Sequence, residues 1–268
     1  MTQTDVLIIG AGAAGLFCAG VAAQQGLQVL LLDHSPKVAE KIRISGGGRA
    51  NFTNKDIDPR SPHKHFLGEN PQFARSALSR YTAADFTALM HKHGIAFHEK
   101  HKGQLFCDRS AQDLIDMLLR ECEAGAMGGK VTRWQPCSLQ SLQFSDATAH
   151  GYTAQTSQGE VQAQAVVVAS GGLSIPKIGA TDLGFRLAQQ FGLKVVTPRP
   201  ALVPPPLTPP IGSPLRPWPV CPCPWTSAPA AASTALCSRR ICCSPTAVCR
   251  GQRSCKFQVI GSQERLSS

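Results

Sequence analysis

Residues 5–15 read D-V-L-I-I-G-A-G-A-A-G. An unbroken apolar run of strand length ending in glycine suits a strand buried on both faces, as in a parallel sheet. Ala13–Gln25 continues as an Ala-rich helical stretch that stops at Gly26, a helix-end signal. Gln28–Asp33 (Q-V-L-L-L-D) is a second buried strand, so the opening unit is β-α-β. Gly10-x-Gly12-x-x-Gly15 falls between the first strand and the helix, and Asp33 closes the second strand 23 residues after Gly10. Alone, that glycine spacing says little; in this context it is the dinucleotide-binding fingerprint. Gly10 permits the tight turn, Gly12 lets the backbone approach a pyrophosphate, and Gly15 lets helix and strand pack closely. The helix N-terminus, with Ala13 and Ala14 in its first turn, offers free N–H groups and a positive dipole end to phosphates. Asp33, with His34 beside it, would accept hydrogen bonds from ribose hydroxyls, and its charge disfavours a 2′-phosphate. A glycine turn that merely packs is the weaker reading, because strand, helix, spacing and acid agree.

Outside this unit the composition is uneven. The 268 residues carry 27 Lys+Arg against 17 Asp+Glu, a net charge of +10 that invites a nucleic-acid or anionic-membrane reading. Residues 205–268 hold 7 of the basic and 1 of the acidic residues, together with 7 of the 11 Cys and 11 of the 20 Pro. Residues 1–204 hold 20 basic and 16 acidic residues and read as an ordinary cytosolic protein with four scattered cysteines, Cys18, Cys107, Cys122 and Cys137. None of these four forms a C-x-x-C pair. No stretch approaches the ~18 apolar residues of a spanning helix, and Met1–Asp5 lacks the basic start of a signal peptide. The expectation is a cytoplasmic protein with neither a nucleic-acid nor a membrane partner.

Further along, Ser45–Asn54 reads as a glycine-rich loop, and Thr82 and Ser110 as helix N-caps. Ser110 with Asp113 is close to a capping box, and Leu114–Leu119 supplies an apolar helix face. Val131–Glu160 alternates around turns and predicts a small β-meander, about 130–164, following a helical and hairpin insertion at about 60–125. Ala165–Ala169 (A-V-V-V-A) is another buried strand, and Asp182–Phe191 a helix ending at Gly192. From Pro205 neither period survives. The expected fold is thus an α/β, Rossmann-like domain over 1–204, with a tail at 205–268 that has no regular fold.

Three blocks carry a family resemblance. Lys41–Asn54 (K-I-R-I-S-G-G-G-R-A-N-F-T-N), Ala169–Thr181 (A-S-G-G-L-S-I-P-K-I-G-A-T) and Pro200–Pro204 (P-A-L-V-P) resemble, in order, blocks of the BaiN/YhiN-like NAD(P)/FAD-dependent oxidoreductases, also known as an aminoacetone-oxidase family. The resemblance spans about residues 4–204 and implies an FAD-binding domain of the glutathione-reductase type. It also implies that Lys41, Ser45, Gly46, Gly47, Gly48, Arg49, Asn51 and Thr53 line the flavin side of the pyrophosphate. Leu139 would meet the adenine through its backbone, and Ser170, Gly171 and Gly172 would let the chain pass close to the cofactor. At the residue level, three consecutive glycines leave N–H groups unshielded beside an anion, and Arg49 adds a charge. Ala50 stands where that family usually has Cys, and Asp33 where flavoproteins more often have Glu.

The family continues past P-A-L-V-P with an inserted β-rich domain and then completes the flavin site; this chain reads differently. Permitted codons for Arg240–Phe257, started one base earlier, yield D-L-L-F-T-H-R-G-L-S-G-P-A-V-L-Q-V, close to the family's D-L-L-F-T-H-x-G-L-S-G-P block. The same shift at Trp218–Ser227 yields the alternating A-G-V-S-L-P-V-D-V. A single frame change near Pro204–Pro210 accounts for the Pro, Cys and Arg enrichment together; a genuine Pro/Cys-rich extension is the weaker alternative.

The leading functional expectation is an FAD-dependent oxidoreductase acting on a small molecule, with oxygen or another acceptor, or with NAD(P)H as donor; no catalytic residue is assigned. The alternatives are a non-catalytic remnant with incidental anion binding through its basic tail, and a simple NAD-dependent dehydrogenase, which Ser45–Asn54 disfavours. His91-x-His93 and His98-x-x-His101 read as surface histidines rather than a metal site. Cys221-x-Cys223 and Cys242-Cys243 lack a second spaced pair, and no metal is expected. Resequencing the source DNA across codons 204–210 is expected to reveal the frame change. An intact frame there, with tail peptides recovered from the native protein, would refute it.

Overall fold

The computed structural model describes residues 1–199 apart from 67, 69 and 147–149. Residues 1–196 form one compact unit. The second unit begins at Thr197, and the expected tail at 205–268 lies outside the described residues.

β1 (Thr2–Ile9), α1 (Ala13–Gln24) and β2 (Gln28–Leu32) follow the sequence expectation, with Gly26 in the left-handed region (φ 90°) just past the helix end. β1 and β2 pair in parallel from Val6↔Val29 to Ile9↔Leu32. Leu7, Ile8, Leu30 and Leu31 are fully buried or nearly so. Alternate residues serve opposite faces: Ile8, Val29 and Leu31 pack with Leu16 and Ala19 of α1, while Leu7, Leu30 and Leu32 pack on the other side. This is why the strands read as continuous rather than alternating apolar runs.

After β2 come α2 (Glu40–Ile44), β3 (Asn51–Asn54), α3 (Arg75–Arg80), α4 (Ala83–Lys92), β4 (Phe97–Glu99), β5 (Gln104–Cys107) and α5 (Ala111–Glu123). Asn51–Asn54, expected within a loop, is instead a short strand, because it pairs antiparallel with β5 in the sheet β3-β5-β4. Thr82 and Asp85 form a complete capping box at α4. At α5 the Ser110 hydroxyl accepts from Gln112 N–H (3.1 Å), while Asp113 turns to Arg109, so no reciprocal box forms there. α5 is not part of an insertion. Leu114, Ile115 and Leu118 pack in the same cluster as Leu16 and Ala19 of α1, making α5 the crossover helix between β2 and the next core strand.

That strand is β6 (Lys130–Trp134), followed by β7 (Leu139–Phe144), β8 (Tyr152–Thr156), β9 (Gly159–Val168) and α6 (Leu183–Gln190). The sheet order is β6-β2-β1-β9-β8-β7. The expected meander at 130–164 is therefore corrected at both ends. β6 pairs parallel with β2. The strand expected at Ala165–Ala169 is the second half of the ten-residue β9, whose first half pairs with β8 and whose Val161–Val168 stretch pairs with β1. The meander and the sheet thus share a strand. Leu142 of β7, Ala154 of β8 and Leu187 of α6 close the core opposite α1 and α5. No helix among the described residues is long and apolar enough to cross a membrane.

A half-buried ionic cluster ties α4 to this core. Glu121 of α5 accepts from His93 Nε2 (2.6 Å), Lys92 Nζ (2.9 Å) and Gln24 Nε2 (2.8 Å). His93 and Glu121 are only 12% and 13% exposed, so His93 is not the surface histidine expected. Burial alone would raise the Glu121 pKa; the bonds from His93, Lys92 and Gln24 outweigh it and hold the carboxyl at about 2. A depressed folded-state pKa contributes stability that is complete above the ordinary carboxylate range and disappears as pH falls toward 2. Glu121→Gln is expected to lower stability by about 3 kcal/mol at pH 7. In urea melts at stepped pH, that difference should shrink steadily below about pH 5 and vanish near pH 2.

Candidate functional site

The fingerprint glycines take three distinct environments. Gly10 has φ 112°, and a Cβ there would lie 2.5 Å from Ala169 O at the end of β9. A Cβ on Gly15 would collide with the Gly10 carbonyl. A Cβ on Gly12 would meet nothing within 4 Å. Two glycines are thus required by packing, and the third leaves open space at the N-terminus of α1. That terminus has no side-chain cap and no acid in its first turn, and Ala13 and Ala14 are exposed. Its free N–H groups and positive dipole end suit an anion.

Asp33 stands just past β2. Its carboxylate accepts from Ala11 N–H (2.6 Å) and Ser35 N–H (2.7 Å), so it fastens the glycine turn to the strand end. A carboxylate has about four acceptor positions, so capacity remains for hydroxyl donors. His34 is half-exposed, and its ring lies against Gly179, whose φ of 85° and missing side chain make the room. A cleft of about 260 Å³ opens here, lined by Gly10, Asp33, His34, Leu139 and Ser170. The structure therefore brings together the turn, the acid, the β7 residue and the post-β9 loop, which are far apart in sequence. The Ser170 hydroxyl is buried with no hydrogen-bond partner in the described structure. An orphaned hydroxyl and a carboxylate lining one cleft fit the polar edge of a nucleoside, and the open helix start fits the phosphates that follow it in a dinucleotide.

The other expected residues form a second group. Lys41 Nζ donates to Ser174 Oγ (2.7 Å) and lies near Gly171, which joins α2 to the loop after β9 and brings Gly172 beside them. Ser45, Gly46, Gly47, Gly48 and Arg49 follow α2 directly, with all three glycines at positive φ. Ser45 O accepts from Gly48 N–H (2.9 Å) and Ala50 N–H (3.1 Å), so the Gly48 donor is used inside the loop rather than left bare. Gly48 O and Arg49 O accept from Ala111 N–H and Cys107 N–H, fixing the loop on the start of α5 and the end of β5. Gly47 has open space where a Cβ would be, and Arg49 is exposed. Asn51 and Thr53 lie on β3 and do not line the 260 Å³ cleft. Arg186, Thr181 and Ser138 do line it and were missed; the placement of α6 immediately after the Ala169–Thr181 block was the available signal. Among the described residues no group of three His, Cys, Asp or Glu side chains could hold a metal, and the four described cysteines are free.

A family model described as "HI0933-like protein Rossmann domain" matches residues 4–251. The chain belongs to this family. The match runs on past Pro204, where the resemblance read from the sequence stops. The chain is 47% identical over 204 residues to an Escherichia coli (strain K12) protein named ribosomal RNA dihydrouridine synthase, covering 76% of this chain and 48% of that protein. A Haemophilus influenzae protein of the same name is 43% identical over 202 residues, covering 75% and 48%. The chain therefore spans about half the length of the curated relatives it matches. Glycine oxidase from Geobacillus kaustophilus, a solved structure, gives a TM-score of 0.42 at 13% identity, covering 72% of this chain and 60% of its own.

Gly15→Ala is expected to cost about 1–3 kcal/mol through overpacking against a backbone that cannot yield. Gly12→Ala should cost less, about 0.5–1 kcal/mol, because the residue is the N-cap of α1, where alanine caps more poorly than glycine. Urea melts of both variants check the contrast, and a Gly12 variant more destabilised than the Gly15 variant would contradict the open space described.

Proposed function

We propose that this chain carries the FAD-binding part of a flavin-dependent oxidoreductase whose substrate is a uridine of ribosomal RNA. The observation that carries the cofactor reading is the open Gly12 position at an uncapped helix start, beside a nucleoside-sized cleft with Asp33 and the orphaned Ser170 hydroxyl. The substrate class comes from the name shared by the two curated relatives. This reading departs from the sequence expectation of a small-molecule substrate and no nucleic-acid partner.

FAD, when bound, supplies two-electron hydride chemistry, and the protein's residues bind and orient it. Gly12, Ala13 and Ala14 would receive the pyrophosphate, and Asp33 and Ser170 the adenosine ribose. Lys41, Ser45–Arg49, Asn51 and Thr53 would hold the flavin side. Reducing the C5=C6 bond of uridine to dihydrouridine takes up one hydride and one proton, and NAD(P)H is the donor class that supplies the electron pair. The composition break at Pro205 favours a second reading, a remnant that does not complete the catalytic site.

The purified chain is expected to show flavin absorbance and to release FAD on denaturation. With NAD(P)H and an unmodified ribosomal RNA transcript, it should form dihydrouridine detectable by mass spectrometry of the digested RNA. A colourless protein that cannot be reconstituted with FAD would defeat the flavoenzyme reading for this chain. A flavin-loaded chain that leaves the RNA unchanged would favour the remnant reading, and a full-length relative that also leaves it unchanged would defeat the substrate.

A further inference from the structure

The 260 Å³ cleft is smaller than the ~300–1,000 Å³ usual for a whole drug-sized ligand, and suits a nucleoside rather than a dinucleotide. Its floor is the Gly10–Asp33 junction. Leu139 comes from β7, and Leu183 and Arg186 come from the first turns of α6. Apolar Leu139 and Leu183 offer surface to a planar base, while Asp33 and Ser170 offer polar atoms to a sugar. Arg186 is the one Lys or Arg among the residues lining the cleft. Its Nε donates to Asp182 Oδ1 (2.9 Å), one turn back on the helix, and its side chain is 64% exposed. That bond orients the guanidinium without burying it, so its flat face stays available. The pyrophosphate would be met at Gly12, Ala13 and Ala14, none of which lines this cleft. The arginine is therefore placed for the base rather than for the phosphates.

We propose that Arg186 is a positioning residue that covers the adenine of the dinucleotide, its guanidinium plane stacked on the ring and held by Asp182. This inference rests on the FAD reading above. Guanidinium faces stack on aromatic rings, and a lysine ammonium presents no such plane.

Dissociation constants for FAD, ADP and FMN, measured by calorimetry on the full chain and on Arg186→Ala and Arg186→Lys, test it. FMN lacks the adenosine half, so it separates a local effect from a general one. Arg186→Ala is expected to weaken FAD and ADP about two- to fivefold and leave FMN unchanged. Arg186→Lys should resemble the alanine variant. Unchanged FAD and ADP binding in Arg186→Ala would overturn the proposal while leaving the FAD reading intact. Equal weakening of FMN, or full rescue by lysine, would also overturn it, the latter by showing that charge alone matters. A parent chain that binds FAD but not ADP would place the adenosine elsewhere and refute it. A parent chain that binds none of the three would overturn both readings.

Discussion

The close approach of two backbones at Gly10 and Gly15 is the constraint on which the rest of this structure depends. The Gly10 carbonyl occupies the space a Gly15 side chain would need, and Ala169 O occupies the space a Gly10 side chain would need. Three chain segments, the end of β1, the start of α1 and the end of β9, therefore meet at one point with no side chain between them. Asp33 adds the end of β2 through Ala11, and Ala39 N–H donates to Ala11 O (3.1 Å), adding the start of α2. The donor-rich helix start and the cleft are both by-products of this junction. Chain segments that meet without side chains leave bare N–H groups and an unfilled groove at the C-terminal ends of the strands, where open α/β sheets bind ligands.

What could be read in the sequence follows the range of the forces involved. β1, α1 and β2 are set by local signals: unbroken apolar runs, an Ala-rich helix and a glycine stop. Their bounds in the structure agree to within a few residues. β6 was misplaced because K-V-T-R-W alternates like a half-exposed strand. Among the described residues it is the edge strand of the sheet and pairs only with β2, in parallel. β9 was split in two because its burial changes midway. Val161–Ala163 lies between β1 and β8, whereas Ala165–Val168 pairs only with β1 among the described residues. One strand with two neighbourhoods carries two hydrophobic patterns, and only the pairing partners reveal that it is continuous.

The site shows the same division. The glycine turn and Asp33 lie within one β-α-β unit and could be found by spacing alone. Ser170, Leu139 and Lys41 entered by resemblance, since nothing local in A-S-G-G or S-L-Q-S marks a ligand. Arg186 escaped both routes. It follows Asp182 at helical spacing, and such a pair on an exposed helix ordinarily reads as a solvent-facing ion pair worth a few tenths of a kcal/mol. Its place in the cleft follows only from what α6 faces, the ends of β1 and β2, which lie some 150 residues away in sequence. His93 was misjudged for a related reason. An H-x-H in a lysine-bearing helix end looks solvated until Glu121 of α5 is packed against it.

Asp33 shows why a shorter acid can serve where glutamate is more usual. Both of its oxygens lie within 2.7 Å of backbone N–H groups, so the carboxylate is pinned at the root of the turn. A longer side chain could reach further into a groove but would be less rigidly held there. The groove around it is shaped by missing side chains: His34 lies against Gly179, Gly184 leaves the Ser170 hydroxyl within 3.1 Å of where its own Cβ would stand, and α6 closes one wall. The glycines at 179 and 184 thus make room at this end of the cleft as Gly12 does at the helix start, and the carboxylate they leave open is held by backbone N–H groups rather than free to swing.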